Sequence, residues 1–435
     1  MEKTKSTQPI VFDKEKMVYN FFELLKIRSV KEAPTENAPF GEGVREALRY
    51  TLNLAKTLGF EVKNYDNYIG EVIWGEGEGN PFGILCHLDV VPEGDLSDWD
   101  TPPYTPTVKD NKIYARGALD DKCGVMSVLF CMKALLDAGY TPKREIRLIL
   151  GCDEESGWGC IEHYKKVATL PEEGISPDAD FPVIYAEKGI VHLTYKFTKS
   201  PSLISISGGT RANVVCDKVV AKVENVGLYA DYQGVLVDEE NQVITTYGVS
   251  AHGSTPEKGV NAMDLMIKVL EEKGLVESGI HDKLFKDTQG LKNLVDETGR
   301  LTFSPNLISS DDNFIYVTVD VRYPATLKKD VIMKNLKKVG NFEIKNYQAP
   351  LYSPKDSGLV KTLCDIYNEL TGEKCEPIAI GGGTYARALK YGVAFGPAHN
   401  EAEADSIHKP NEFITIDTIK LMNQIYLETL KRICF

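Results

Sequence analysis

The sequence predicts an α/β fold in which a mixed, largely parallel sheet is interrupted by an inserted domain of α+β type. Two short and almost entirely apolar runs, "FGILCHLDVV" at 82–91 and "IRLILG" at 146–151, are typical of strands buried on both faces. A helical pattern lies between them, and the order strand, helix, strand indicates a parallel sheet. After residue 190 the pattern changes to alternating apolar and polar residues, which predicts the inserted domain.

Apolar residues that recur at spacings of three and four predict two helices in the first domain. One stripe runs over 44–58 and ends at Gly59, and the other runs over 125–136 and ends at Gly139. Glycine often terminates a helix because it adopts the left-handed conformation without a steric penalty. The second of these helices therefore connects the two predicted strands.

The inserted domain is predicted from strand-like alternation in "HLTYKF", "GVLVDEENQVITTYG" and "NFIYVTVDVRY", with one clear helix, "NAMDLMIKVLEE", among them. The helical pattern "GLVKTLCDIYNEL" returns after about residue 352, and a last helix reaches the C-terminus. A chain of 435 residues also exceeds what one hydrophobic core usually supports. We therefore predict a discontinuous first domain, 1–190 with 352–435, and a second domain, 191–351.

The composition excludes several classes of partner. A formal net charge of -13 argues against nucleic acid and against an anionic membrane surface, because both require a basic face. The start of the chain lacks an apolar segment of signal-peptide length, and no run of about 18 apolar residues occurs. The nine cysteines contain no CxxC pair, so they are expected to be buried hydrophobes in a reducing compartment. We expect a cytoplasmic protein.

Polar residues follow the predicted strands at the edge where ligands bind in α/β sheets. Each motif alone has an ordinary explanation, a turn for HxD and an N-cap for the paired aspartates, but together they supply two imidazoles and several carboxylates. Such a set suits one or two divalent ions, most often zinc. A cation would also relieve the repulsion among the three adjacent acids at 153–155. The five segments are "CHLDVVP", "ARGALDDKCG", "GCDEESGWG", "SPDADFP" and "SIHKPNE".

The order of these motifs, with "SAHGSTPEKGVNA" and "DVRYP" between the last two, resembles the PepV-like dinuclear zinc dipeptidases. These belong to the zinc peptidase family that includes carnosinases, aminoacylases and glutamate carboxypeptidases. The resemblance covers essentially the whole chain. It implies a zinc-peptidase-like catalytic domain over 1–190 and 352–435, a lid domain over 191–351, and a cis peptide bond between Asp120 and Asp121.

The resemblance also implies two Zn²⁺ ions per chain, although manganese or cobalt suits the same ligands. The ligands of one ion would be His87, Asp120 and Asp178. The ligands of the other would be Asp120, Glu155 and His408, so that Asp120 bridges the pair. Two divalent ions and three carboxylates leave one positive charge, which a bridging hydroxide neutralises.

Within the acidic run, the resemblance gives the catalytic role to Glu154. This residue would accept a proton as the metal-bridging hydroxide attacks the scissile carbonyl, and would then protonate the leaving amine. Asp89 would be a supporting carboxylate that fixes the tautomer of His87. Asp153 is expected only to cap the turn.

The resemblance assigns three residues of the inserted domain to the substrate. His252 would donate to the developing oxyanion, and Asn213 and Arg322 would hold the substrate, with the guanidinium as a clamp for a terminal carboxylate. The segment "GGGT" at 381–384 either offers backbone donors to that carboxylate or forms a plain tight turn.

The predicted function is a metal-dependent dipeptidase that cleaves short peptides with a free amino terminus. A deacylase of N-acyl amino acids is the alternative, because the same core serves either reaction once the pocket changes. A metal-binding protein without catalysis is the third hypothesis, and Glu154 argues against it because metal binding does not require that residue. The long insert favours a monomer over a homodimer, since it could complete the site within one chain.

Overall fold

The computed structural model describes residues 9–76 and 79–435. These residues form two compact units. The first unit runs to Tyr185 and takes in Tyr352–Ile378 and Gly383–Phe435, and the second consists of Ala186–Leu351 with Ala379–Gly382. The hydrophobic pattern does not predict that Ala379–Gly382 belong to the second unit.

The elements are numbered in chain order. The helices are α1 (Lys14–Leu25), α2 (Glu42–Thr57), α3 (Lys122–Asp137), α4 (Gly159–Val167), α5 (Ala262–Glu272), α6 (Ile280–Phe285), α7 (Lys329–Leu336), α8 (Gly358–Thr371), α9 (Glu401–Ala404) and α10 (Ile416–Cys434). The strands are β1 (Glu61–Tyr65), β2 (Ile69–Trp74), β3 (Phe82–His87), β4 (Thr107–Lys109), β5 (Lys112–Tyr114), β6 (Ile146–Gly151), β7 (Glu173–Ser176), β8 (Ala179–Asp180), β9 (Ile184–Glu187), β10 (Gly189–Thr198), β11 (Leu203–Gly208), β12 (Lys218–Val223), β13 (Val235–Asp238), β14 (Val243–Tyr247), β15 (Val295–Asp296), β16 (Gly299–Arg300), β17 (Thr302–Ser310), β18 (Phe314–Tyr323), β19 (Phe342–Gln348), β20 (Leu351–Tyr352), β21 (Ile378–Ile380), β22 (Tyr391–Ala394), β23 (Pro397–Ala398) and β24 (Phe413–Thr415).

The main sheet of the first unit contains the strand order β1-β2-β6-β3-β7-β22. The four strands β6, β3, β7 and β22 pair in parallel, while β1 and β2 are antiparallel additions at the edge. β3 is buried along its whole length and β6 at every position except Arg147, as the apolar runs predicted. The predicted mixed sheet is confirmed, with the parallel pairing found in these four central strands.

The two predicted helices of this unit are present as α2 and α3. α3 begins at Lys122, directly after the paired aspartates, and most of its residues are buried. The Lys122 ammonium is itself buried and donates to the carbonyls of Leu24 and Ile27, at 3.1 and 2.8 Å. The peptide bond between Asp120 and Asp121 is cis, as the resemblance implied.

The second unit is built on an eight-stranded antiparallel sheet with the order β13-β14-β12-β11-β17-β18-β10-β19. Its strands alternate buried and exposed residues, and α5 covers one face with Met263, Met266 and Ile267 in the core. This is the α+β type that the alternation predicted. In neither unit does a helix of the described residues combine the length and apolar character needed to cross a bilayer.

Candidate metal centre

The predicted metal ligands of the first unit come together because parallel strands end at the same edge of the sheet. His87 is the last residue of β3 and lies opposite Gly151, the last residue of β6. Glu154 and Glu155 follow β6, and Asp178 follows β7 on the other side of β3. Three neighbouring strands thus deliver an imidazole and three carboxylates to one place.

Asp120 lies between two imidazoles and presents one carboxylate oxygen to each. His87 Nε2 is 2.8 Å from Asp120 Oδ1 and 3.5 Å from Asp178 Oδ1. His408 Nε2 is 2.9 Å from Asp120 Oδ2 and 3.1 Å from Glu155 Oε2. The five residues predicted as ligands are therefore neighbours, and the central position of Asp120 is the one expected of a bridging carboxylate.

The composition of this cluster fits divalent metal ions. Two groups of three residues each bring their ligand atoms within 4.8 Å of one another. One group is His87, Glu154 and Asp178, and the other is His87, Asp120 and Glu155. Although His87 Nε2 and Asp120 Oδ1 are close, both are buried and neither makes a hydrogen bond of acceptable geometry. Imidazole nitrogens and carboxylate oxygens without other partners are suitable ligands for zinc and related ions.

The carboxylic acids of the cluster lie close together and are shielded from water, and both effects shift their pKa values. Burial raises the pKa of Glu154 well above its usual range, and the charge of Asp178 raises it further. Burial and the charge of Asp120 raise the pKa of Asp178 to about 7. Burial opposes ionisation of Asp120 as well, but the adjacent imidazoles of His408 and His87 outweigh it and lower its pKa. Bound cations would favour the ionised form of every acid here.

Asp89 supports the site differently from the prediction. His87 Nδ1 lies 2.8 Å from the main-chain oxygen of Asp89 and 3.6 Å from its carboxylate, so the carbonyl is the partner that orients the ring. The carboxylate instead accepts the main-chain N–H groups of Glu154 and Glu155, each at 3.1 Å. The turn after β3 directs the carbonyl back to the imidazole and leaves the carboxylate to position the two acids.

Asp153 organises the turn that leads into α4, as predicted. Its Oδ2 accepts from the N–H of Gly159 at 2.9 Å, while its Oδ1 accepts from Ser156 Oγ at 2.8 Å and lies 2.7 Å from Lys31 Nζ. The same turn places the indole N–H of Trp158 at 3.3 Å from Glu154 Oε1. The acidic run thus divides into one structural acid and two acids that face the cluster.

Glu412 is a buried acid next to the cluster that the sequence patterns did not single out. Its buried carboxylate accepts the guanidinium of Arg116 at 2.8 Å and three main-chain N–H groups, those of Gly117, Leu119 and Asp120, at 2.9 to 3.2 Å. It therefore holds the loop that carries the central carboxylate. The only signal was its place at the end of "IHKPNE", and a charged residue in a polar segment is usually exposed.

Asp121 was also missed, because a second aspartate before a helix reads as an N-cap. No side-chain capping bond is made at the start of α3. Instead Asp121 Oδ2 accepts the N–H of His87 at 3.1 Å, which ties the end of β3 to the start of the helix. Burial and the charge of Asp178 raise the pKa of Asp121 well above its usual range.

In the second unit, the segments that carry Asn213 and His252 are paired. Val214 and His252 form an antiparallel bridge, and the N–H of Gly253 donates to the main-chain oxygen of Asn213 at 2.7 Å. His252 Nδ1 lies 2.7 Å from Ser254 Oγ. Two of the three residues predicted to contact substrate are therefore held next to each other by the backbone.

Arg322, near the end of β18, is almost completely buried in an ion pair. Its Nε and Nη2 donate to the two oxygens of Asp320 at 2.7 and 2.8 Å, and its Nη1 donates to the main-chain oxygen of Gly381 at 2.8 Å. Burial alone would raise the pKa of Asp320, but His192 and Arg322 outweigh it and the pKa lies below its usual range. In the "GGGT" segment, the main chain of Gly381 thus acts as a hydrogen-bond acceptor for Arg322. Thr384, the last residue of the segment, caps a short 3₁₀ helix, Tyr385–Ala388.

Comparison with known proteins matches residues 83–432 to the model of a family described as "Peptidase family M20/M25/M40". "Putative dipeptidase YtjP" of Bacillus subtilis is 34% identical over 456 residues, which cover 97% of this chain and 98% of that protein. A "Putative dipeptidase" of Staphylococcus epidermidis is 35% identical and covers 96% of this chain and 97% of its own. Human carnosine dipeptidase 1 matches the fold with a TM-score of 0.60 at 14% identity, over 96% of each chain.

Proposed function

The chain belongs to peptidase family M20/M25/M40, and from that premise we propose that it is a metal-dependent dipeptidase acting on short peptides with a free amino terminus. One observation carries the proposal. The cluster contains the half-buried Glu154 beside the five candidate ligands, with the indole N–H of Trp158 directed at its carboxylate. An acid beside the ligands and not needed to complete them is what a hydrolase requires as a general base.

We infer that two ions, zinc in the first instance, are held by the five predicted ligands. His87, Asp120 and Asp178 would hold one ion, and Asp120, Glu155 and His408 the other. The closeness of Asp120 to both imidazoles supports this division. When bound, such ions supply Lewis-acid activation of water and of the scissile carbonyl.

The proton transfers are assigned to Glu154. Its Oε atoms would accept a proton from the attacking water and then deliver that proton to the amine nitrogen as the C–N bond breaks. The Trp158 indole N–H holds one of these oxygens in place, and Asp89 holds the backbone of the residue. A fixed carboxylate is an effective base because its orientation is set before the reaction begins.

The substrate contacts are assigned to the second unit. Arg322 would bind the terminal carboxylate, Asn213 would hold the peptide, and His252 would donate to the oxyanion as negative charge develops. The resemblance provides these roles, and the pairing of the segments around Asn213 and His252 supports them.

His252→Ala is expected to lower kcat by roughly a hundredfold to a thousandfold, because a donor to the oxyanion stabilises the transition state more than the ground state. Metal content should match that of the parent, since His252 is not a proposed ligand. Steady-state kinetics and metal analysis on the same preparation measure both quantities. A kcat within about threefold of the parent would exclude His252 from the reaction.

The proposed function is tested with the metal-loaded chain on a panel of dipeptides and, in parallel, of N-acetyl amino acids. We expect turnover of dipeptides with a free amino terminus and little turnover of the acylated compounds. The reverse preference would identify a deacylase of N-acyl amino acids. Absence of turnover on both panels, with metal bound, would indicate a protein that binds metal without catalysis.

We infer a cytoplasmic location and a monomer. The nine cysteines support the location, because all are free thiols and seven of them are buried. The monomer is supported by the chain itself, which contains the candidate ligands as well as the candidate substrate residues.

A further inference from the structure

Asp320 is a fully buried carboxylate that has no assigned role. It lies two residues before Arg322 on β18, where both residues are at most 4% exposed. The two hydrogen bonds from Arg322 use both oxygens of Asp320, which is the bidentate geometry that fixes a guanidinium most firmly. His192 Nε2 lies 3.7 Å from the same carboxylate.

The contacts of Arg322 leave a defined set of donors. A guanidinium has five N–H groups, and Asp320 and the carbonyl of Gly381 take three of them. In the described part of the chain, one N–H of Nη1 and one of Nη2 remain. Two donors on adjacent nitrogens match the two oxygens of a carboxylate, so the internal partners orient the guanidinium for bidentate recognition of a ligand.

Asp320 also contacts the segment that carries His252. A Cβ atom placed on Gly253 would lie 2.4 Å from Asp320 Oδ2 and 3.1 Å from the main-chain oxygen of Asn213. The glycine is therefore required for this close approach. Through it, one carboxylate is packed against the backbone beside His252 and Asn213 while it binds Arg322.

We propose that Asp320 is a positioning residue for recognition of the substrate's terminal carboxylate: it holds Arg322 by two hydrogen bonds and is itself held in place by close packing against Gly253. This inference rests on the proposed function, in which Arg322 binds that carboxylate. An asparagine at this position accepts with only one of its two atoms, so it cannot replace the bidentate contact. The freed guanidinium would lose the orientation that aligns its two remaining donors.

The test compares alanyl-alanine with its C-terminal amide as substrates of the metal-loaded chain. Asp320→Asn is expected to raise KM for the free dipeptide by about tenfold to a hundredfold, with kcat and the kinetics of the amide changed by less than about threefold. Arg322→Gln should show the same selective loss. Asp320→Asn should add little to it in the double variant, because two residues that act as one unit are not additive.

Glu271→Gln is the matched control for loss of a carboxylate in the second unit. Glu271 accepts the main-chain N–H groups of Gly279 and His281 and has no described contact with Arg322. Its replacement should lower the unfolding temperature without changing the preference for the free dipeptide. Asp320→Glu is a second route to the same phenotype, since it retains the charge but displaces the carboxylate from its bidentate position by one methylene group, and it serves if Asp320→Asn does not fold.

The outcomes separate the inference from the function it rests on. A selective loss in Arg322→Gln together with an unselective effect, or none, in both Asp320→Asn and Asp320→Glu overturns the role of Asp320 alone. An unchanged preference in Arg322→Gln overturns the carboxylate clamp and the inference with it, while dipeptide turnover by the parent keeps the proposed function. A parent that cleaves neither substrate overturns both.

Discussion

Glu154→Gln is expected to reduce kcat by about a thousandfold or more while the metal content stays at that of the parent. A glutamine amide cannot accept the proton of the attacking water, and general acid–base catalysis of this kind contributes roughly 10² to 10⁴ in rate. The substitution retains the size of the side chain and a partner for the Trp158 N–H. Steady-state kinetics and metal analysis of the purified variant measure the two effects.

Glu155→Gln is the matched comparison, because the two acids are adjacent and both main-chain N–H groups bind Asp89. Glu155 lies 3.1 Å from His408 and is a proposed ligand, so its variant should bind one ion more weakly. The comparison is needed because Glu154 is also within 4.8 Å of ligand atoms of His87 and Asp178. Equal metal loss in the two variants would make Glu154 a ligand and not the base.

Removal of the metal is expected to abolish activity and to lower the free energy of unfolding. Chelation would leave the largely shielded carboxylates of Asp120, Glu155 and Asp178 without the metal charge that favours their ionised forms. A ligand that binds only the folded chain stabilises it by about 3 kcal/mol at a hundredfold excess over its dissociation constant. Thermal unfolding and dipeptide turnover should both recover on addition of Zn²⁺. Full activity after exhaustive chelation would refute the metal requirement.

The metal-free chain should also become less stable as the pH rises from about 4 to about 7. Asp178 has a folded pKa of about 7, above its usual value, so the folded chain favours its protonated form. The resulting stabilisation is present below the unfolded pKa and is lost as the pH rises through the folded pKa. The raised pKa of His408, about 11, acts with the same sign but only above about pH 6.5, because the stabilisation from its protonated form is fully present below the unfolded pKa. Unfolding temperatures of the chelated and zinc-loaded chain across this range should diverge as the pH rises.

Local features of the sequence were sufficient for much of the fold and for the identity of the candidate ligands. The apolar content and shortness of two runs marked β3 and β6 as buried strands, because a short, continuous apolar run is typical of a strand covered on both faces. The polar residues directly after such strands had to lie at one edge. The motif resemblance then named five candidate ligands, and the structure places all five residues in one cluster.

The tertiary structure alone decided which partner each polar group uses. Glu412 and Arg116 are 296 positions apart, and Asp320 is buried beside Gly253, which belongs to another segment of the same unit. Asp89 uses its carbonyl where a carboxylate contact was predicted, because the turn after β3 directs it there. Periodicity reports which face of an element is buried, but hydrogen-bond partners depend on strand register and on packing between distant segments. The sequence therefore determined the elements and the chemical groups, and the packing of those elements determined how the groups are paired.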